Sequence, residues 1–300
     1  MSIHQKTETG AKNFHSLFHN LVSILKVKRN LISLIVPIVF LGLWEITAIG
    51  IDNHVVLPRV QYVFALLLNP TEGLIGMGSL ASNTAISLTR VLSGYFFGVI
   101  LGTSLGVLMG YYYIAFNLLN SFLGLFRPIP PLAWVPLVLS WFGVASFATI
   151  LGVTEGDWYV YLNNLQISMV FIIFIGAFFP IITSTIYGVR NVNKTLIDSA
   201  RVLGANEREV FFKVLLPASA PSIVNGMRIG MGVAWMCLVS AEMLPGTLSG
   251  IGYLITHGYT LARTDIVIAG MITIGVVGAL MDMSFRVLED RKFKWQRLAR

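Results

Sequence analysis

The chain has 300 residues, of which 55% are hydrophobic and 12% are charged, with a mean hydropathy of +0.76 and a formal net charge of +7. An ordinary soluble domain carries roughly 25% charged residues, and a disordered chain has low hydrophobicity, so both classes are excluded. The charges flank hydrophobic stretches, which is a topology signal and not a nucleic-acid-binding surface. The composition therefore predicts an all-α polytopic membrane protein with about six transmembrane helices.

Residues 1–30 combine five basic residues with apolar residues at helical spacing, which predicts an amphipathic interfacial helix on the cytoplasmic surface. Residues 31–290 form the predicted transmembrane domain, and residues 291–300 form a basic cytoplasmic tail. The predicted spans are 31–50, 91–111, 118–142 (with a proline-rich interruption), 165–187, 223–244 and 266–287.

The basic residues predict the orientation of these spans. With six spans, sixteen Lys and Arg residues fall in the N-terminal segment, the 188–221 loop and the tail, against three in the segments on the other side. This asymmetry predicts that both termini are cytoplasmic. Arg90 is one of the three, and Arg90 and Arg228 are both expected to snorkel from span ends towards the headgroups.

Glycine recurs at every fourth position of the second span. In lipid, a strip of glycines on one helix face lets another backbone approach closely. The repeat therefore predicts a tightly packed helix pair. Its members are Gly94, Gly98, Gly102, Gly106 and Gly110.

Residues 193–217, called the elbow below, form the longest predicted cytoplasmic loop. Asn193 is placed to cap a first short helix, and Gly204 suits a left-handed position after it. Asn206 followed by Glu209 predicts a capping box opening a second helix, which Pro217 would end. The residues that line the apolar face of the first helix are Leu196, Ala200 and Leu203.

The elbow resembles the EAA loop of ATP-binding-cassette (ABC) import permeases, which reads E-A-A-x3-G-x9-I-x-L-P. The matching residues are Asp198, Ser199, Ala200, Gly204, Val214, Leu216 and Pro217. Asp for Glu, Ser for Ala and Val for Ile are the departures. The stretches 87–91, 125–136, 141–143 and 226–228 resemble the nitrate/sulfonate/bicarbonate (taurine-like) subgroup, whereas residues 153–162 look like an insertion on the outer side.

The resemblance implies a type I ABC importer permease fold in a prokaryotic inner membrane. It implies two ATPase subunits that bind ATP and Mg²⁺, a second permease copy in a homodimer, and an extracytoplasmic substrate-binding protein. The implied substrate is a small anion of the nitrate, bicarbonate or sulfonate/taurine class, with a vitamin precursor or aromatic compound as the alternative. The residues implied to contact the ATPase are Asp198, Ser199, Ala200, Arg201, Leu203, Gly204 and Ala205.

The chain itself carries no G-x4-G-K-[ST] phosphate loop, so ATP hydrolysis is expected on a separate subunit. No cofactor, metal or catalytic constellation is predicted, which argues against an intramembrane enzyme. A secondary transporter driven by an ion gradient is the other alternative, but such carriers need no docking elbow.

Polar residues within the spans are candidates for the substrate pathway, because charges are costly in a membrane. Arg127 precedes the prolines that interrupt the third span and could contact an anion, or it could snorkel. Trp134 could line the pathway, lie at the membrane interface or pack in the core. Glu242, like Glu45 and Asp282, could line the vestibule or pair with an arginine.

Overall fold

The computed structural model describes residues 35–293, apart from residues 75, 144, 245 and 246. The predicted interfacial helix at 1–30 and most of the predicted tail therefore lie outside the described residues. Contacts divide the chain into two compact units, residues 1–64 and 65–300.

The described elements are helices and one short hairpin. In chain order they are α1 (Ile35–Ile51), α2 (Val60–Leu68), β1 (Gly73–Leu74), β2 (Gly78–Ser79), α3 (Leu80–Tyr111), α4 (Tyr113–Phe126), a 3₁₀ turn (Pro131–Trp134), α5 (Val135–Phe142), α6 (Phe147–Leu151), α7 (Asp157–Asn163), α8 (Ile167–Arg190), α9 (Lys194–Val202), α10 (Glu207–Glu209), a π-helical segment (Val210–Leu215), α11 (Leu216–Glu242), α12 (Ile251–Thr260) and α13 (Thr264–Lys292). β1 and β2 pair antiparallel, with Gly73 opposite Ser79.

The first unit contains α1 and the start of α2. The indole Nε1 of Trp44 donates to the carbonyl of Pro58 at 3.0 Å, and the backbone N–H of Val60 donates to the Glu45 carboxylate at 2.9 Å. Glu45 therefore satisfies an N–H at the start of α2, where the first N–H groups of a helix lack intrahelical acceptors.

The membrane-spanning architecture is confirmed. Helices α3, α8, α13 and the continuous helix Glu207–Glu242 are long and apolar enough to cross a membrane. The third predicted span is a pair of helices, Tyr113–Phe126 and Pro131–Phe142, bent by 81° at the prolines. α1 is a shorter apolar helix at the position of the first predicted span.

Helix α3 begins at Leu80, well before the predicted residue 91. A capping box starts it: Ser79 Oγ accepts the N–H of Ser82, and Ser82 Oγ accepts the N–H of Ser79. The first turns of α3 carry polar side chains that are buried against other segments, so hydropathy alone does not detect them.

Helix α8 lies between α3 and α11. A Cβ added at Gly94, Gly98, Gly106 or Gly110 would come within 2.6 Å of a Cβ atom of α8, and one at Gly102 within 3.0 Å of Ile181. The contacts advance by four residues on both helices, so α3 and α8 run parallel. α11 runs antiparallel to α8, with Gly188 of α8 against Ser222 and Gly176 against Cys237. Any larger side chain at these five positions would push α3 and α8 apart, so the glycines allow the two backbones to approach closely.

Pro217 does not end the second elbow helix, contrary to the prediction. The helix passes through the π-helical segment Val210–Leu215 directly into α11. At the junction, the N–H of Leu216 donates to the carbonyl of Phe211, five residues earlier. The missing N–H of Pro217 is tolerated because the residue stands in the first turn of α11, after this wider π turn.

Two short helices, α6 and α7, lie near the end of the bundle opposite the elbow, called the far end below. The capping box of Ser146 and Thr149 opens α6, and Gly152 ends it with φ of +67°. The N–H of Ile167 donates to the carbonyl of Ala145 at 3.0 Å, and this bond joins the two ends of the segment that contains α6 and α7. The predicted insertion at 153–162 forms the connection after α6 and most of α7.

Candidate functional sites: the elbow and a buried ion pair

The first elbow helix, α9, has the predicted ends. Asn193 Oδ1 accepts the N–H of Thr195 at 2.9 Å, and Gly204 adopts φ of +87° just after the helix. The N–H of Gly204 donates to Arg201 O, and that of Ala205 donates to Ala200 O. These bonds satisfy carbonyls at the end of α9, so the turn is fixed by backbone geometry.

Side-chain bonds join α9 to the second elbow helix. Asn206 and Glu209 form the predicted capping box, with distances of 2.9 and 3.1 Å. Arg201 Nε donates to Glu207 at 3.0 Å, and the hydroxyl of Tyr111, at the end of α3, donates to the same carboxylate at 3.3 Å. The hydrogen-bonded carboxylate of Glu207 raises the pKa of Arg201, so the guanidinium stays charged. The two helices and the end of α3 thus form one connected unit.

The elbow presents apolar side chains to its surroundings. Val202 is 88% exposed and Leu203 is 86% exposed, while Leu196 is 53% exposed. On the opposite side of α9, Ile197 packs against a core cluster that contains Val189. An exposed apolar pair at a rigid turn is typical of a surface that another protein covers.

The other predicted elbow residues surround this pair. Asp198 and Arg201 are 69% and 50% exposed, and their side chains lie 3.8 Å apart. Ser199 is exposed, whereas Ala200 and Ala205 are half-buried. Val202 was not singled out from the sequence, because its neighbours at helical spacing on α9 are not apolar in one stripe; its position next to the glycine turn is the signal that points to it.

A second site lies inside the far end of the bundle. Arg90 of α3 and Glu242 of α11 form an ion pair of 2.8 Å, with side chains that are 2% and 0% exposed. The Ser87 hydroxyl and the N–H of Gly252 also donate to this carboxylate, the latter at 3.1 Å. Buried charges persist when they are paired and their remaining polar atoms are satisfied.

The guanidinium of Arg90 reaches two further segments. Its Nη1 and Nη2 donate to the carbonyl and hydroxyl of Ser249, at 2.7 and 2.9 Å. Its Nε donates to the carbonyl of Asn164, which follows α7, at 2.7 Å. The pair therefore joins α3, α11, the end of α7 and the start of α12. Arg90 does not snorkel, contrary to the prediction, because these partners supply the solvation that headgroups would otherwise provide.

Polar groups of α3 also hold the first residues of α12. Asn83 Oδ1 accepts the N–H of Gly250 at 2.8 Å, and the Ser87 hydroxyl oxygen accepts that of Ile251 at 2.9 Å. Gly250 adopts φ of +111°, and a Cβ at Gly250 or Gly252 would collide with Glu242. Glycine is required at Gly250 both for the backbone conformation and for the space.

Residues 77–294 match the family model described as a binding-protein-dependent transport system inner membrane component. The chain belongs to this family. It is 45% identical over 274 residues to a putative ABC transporter permease of Methanocaldococcus jannaschii, covering 91% of this chain and 95% of the relative.

Two further relatives carry substrate names. The taurine transport permease of Escherichia coli is 31% identical, with 84% of each chain covered. The nitrate import permease of Synechocystis is 32% identical, with 84% of this chain and 85% of the relative covered. An inward-facing structure of the MetNI methionine ABC transporter matches with a TM-score of 0.58 and 18% identity, over 71% of this chain and 95% of that chain, which shows a shared fold. The chain is therefore a multi-pass membrane permease subunit of an ABC transport system.

The structure places the three pathway candidates of this permease in different surroundings. Arg127 ends α4 at the 81° bend, and its side chain is exposed. Trp134 is half-buried beside the Phe126 ring, with centroids 5.9 Å apart, and its buried Nε1 has no hydrogen-bond partner within the described residues. Glu242 is in the ion pair, and it also borders a cavity at the far end.

Arg228 is engaged by α13 and does not extend freely to the headgroups. Its Nη1 donates to Glu289 at 3.1 Å, and its Nε lies 3.7 Å from Asp282. Asp282 also accepts from Arg286 at 2.7 Å. Of the two alternatives open for Asp282, pairing with arginine is the one observed.

Proposed function

We propose that this chain is the permease of an ATP-driven importer for a small oxoanion of the nitrate, bicarbonate or sulfonate/taurine class. The named relatives transport taurine and nitrate, which supports the class. Family membership favours the importer over a carrier driven by an ion gradient.

The observation that carries the ATP-driven mechanism is the elbow with its exposed apolar pair, Val202 and Leu203. In the proposed complex, each of two permease copies docks its elbow on one ATPase subunit, and those subunits bind ATP and Mg²⁺. Val202 and Leu203 enter an apolar groove of the ATPase, and Gly204 permits close backbone approach. The polar contacts around that groove come from Asp198, Ser199, Arg201 and the backbone of Ala200 and Ala205.

The elbow then receives the movement of the ATPases. Because the Glu207 carboxylate ties both elbow helices to Tyr111 at the end of α3, a displacement of the elbow moves α3 as well. α3 is packed on α8 through glycines and moves with it as a rigid body. In this arrangement the elbow and both termini are cytoplasmic, the protein lies in the cytoplasmic membrane, and the far end faces the extracytoplasmic binding protein.

The test is transport by the purified complex. The permease, its co-purifying ATPase and the binding protein are reconstituted in vesicles, and uptake of labelled nitrate, bicarbonate or taurine is measured with ATP or with a non-hydrolysable analogue. We expect uptake of one of these anions with ATP and no uptake with the non-hydrolysable analogue. Uptake that depends on an imposed ion gradient and is unchanged by ATP would refute the ATP-driven mechanism.

A further inference from the structure

Helix α12 has two chemically different faces. Ile251, Leu254 and Ile255 are buried in the bundle. The other face carries polar side chains at i, i+3, i+4 and i+7, the spacing of a single helix stripe. The polar residues are Tyr253, Thr256, His257 and Thr260.

This polar stripe lines a cavity of about 170 Å³ at the far end of the bundle. Glu242 and Thr247 border the same cavity. Polar side chains at such a place, beside a membrane-embedded bundle, are accommodated when they face water or a polar ligand. The cavity has space for several water molecules or for a small oxoanion.

The four side chains differ in what they can donate. Thr256 and Thr260 donate their hydroxyl hydrogens to the helix's own carbonyls, Gly252 O at 3.1 Å and His257 O at 2.7 Å. Among the described residues, neither the Tyr253 hydroxyl nor the His257 imidazole has a hydrogen-bond partner, while their rings stack with centroids 5.3 Å apart. Tyr253 and His257 therefore hold the donors that are available to a ligand.

Among the described residues that line the cavity, Glu242 carries the one carboxylate. The carboxylate of Glu242 is compensated by Arg90 and accepts from Ser87 and Gly252. No unpaired carboxylate therefore faces the cavity from Glu242. A hydroxyl and an imidazole hold an oxoanion less tightly than a bidentate guanidinium does, and a transport pathway requires binding weak enough to permit release.

We propose that Tyr253 and His257 contact the translocating oxoanion at the outer mouth of the pathway. The proposal rests on the proposed function, which makes the far end extracytoplasmic and the cargo an oxoanion. The ion pair has a positioning role here, because Glu242 binds the N–H of Gly252 and so fixes the start of the helix that carries both donors.

The test uses the reconstituted complex with taurine, nitrate and bicarbonate as probes. In the double variant Tyr253→Phe and His257→Phe, each position keeps an aromatic ring and both donors are lost. We expect the anion moved per ATP hydrolysed to fall about ten-fold, the effect of losing a hydrogen bond to a charged group. Thr256→Val and Thr260→Val are the matched controls, and they should stay within about two-fold because their hydroxyls are already engaged.

Two outcomes would overturn the proposal, and they are distinguishable. If the wild-type complex transports none of the three probes, the substrate class fails and this site fails with it. If the wild type transports one probe and the double variant does so with an unchanged ratio of anion to ATP, the site alone is refuted. Unchanged co-purification of the ATPase shows that each variant is folded.

Discussion

Arg90 and Glu242 lie 152 residues apart in sequence, and their side chains meet at 2.8 Å in the interior of the protein. Both side chains are buried, at 2% and 0% exposed. Because the same groups also bind Ser249 and Gly252, the pair determines where α12 begins relative to α3 and α11. The ion pair therefore fixes the relative positions of these three helices at the far end of the permease.

Removing one member of this pair should destabilise the protein strongly. Arg90→Met leaves the Glu242 carboxylate buried without its cation, and such a change costs about 3–5 kcal/mol. The free energy of unfolding of the purified chain in mixed micelles measures the loss. Arg286→Met is the matched control, because Arg286 is 66% exposed beside Asp282 and exposed pairs contribute about 0–1 kcal/mol. Equal losses of unfolding free energy for both variants would contradict this structural role of the buried ion pair.

The space around each glycine predicts whether the bundle tolerates the methyl group that a Gly→Ala substitution adds there. Gly98→Ala places a Cβ 2.6 Å from that of Ala177, so α3 and α8 must separate, at a cost of about 1–3 kcal/mol. Gly232→Ala is the control on α11, where an added Cβ meets nothing within 4 Å. There the change should be neutral or stabilising by up to about 1 kcal/mol. If the two variants unfold with the same free energy, the glycines do not set the approach of the helices.

The left-handed conformation of Gly204 in the elbow predicts that a bulky substitution there impairs the coupling of ATP hydrolysis to transport. Gly204→Val forces a β-branched residue into φ of +87°, which costs about 1–2 kcal/mol and distorts the turn. Gly152→Val imposes a similar strain at φ of +67°, at the far end, with equally open space around it.

The measured quantity is ATP-driven uptake relative to protein incorporated in the vesicles. We expect Gly204→Val to lower it and Gly152→Val to retain more of it. An equal or greater loss of uptake in Gly152→Val would show that the elbow has no special part in transport.

Local signals in the sequence were sufficient for the approximate positions of the spans and for both ends of α9. Hydropathy detects apolar runs, and a cap such as Asn193 or a glycine such as Gly204 depends on residues a few positions away. These features were confirmed because the physics that produces them is local.

The ion pair and the path of α11 are not local in this way. Nothing near Arg90 in the sequence indicates a partner 152 residues away, so a rule based on span ends predicted snorkelling. Pro217 was expected to end a helix because proline lacks an N–H, but a π-helical segment just before it lets the helix continue. Both outcomes depend on what the segment packs against.

The measurement that tests the account most directly is whether the ATPase remains bound when the apolar pair of the elbow is made acidic. Val202→Asp and Leu203→Asp alter side chains that are 88% and 86% exposed, so the permease itself should fold normally. We predict that the wild-type permease retains a Walker-motif ATPase through affinity purification and that the double variant loses it. Retention of the ATPase by a folded double variant would contradict docking through the elbow.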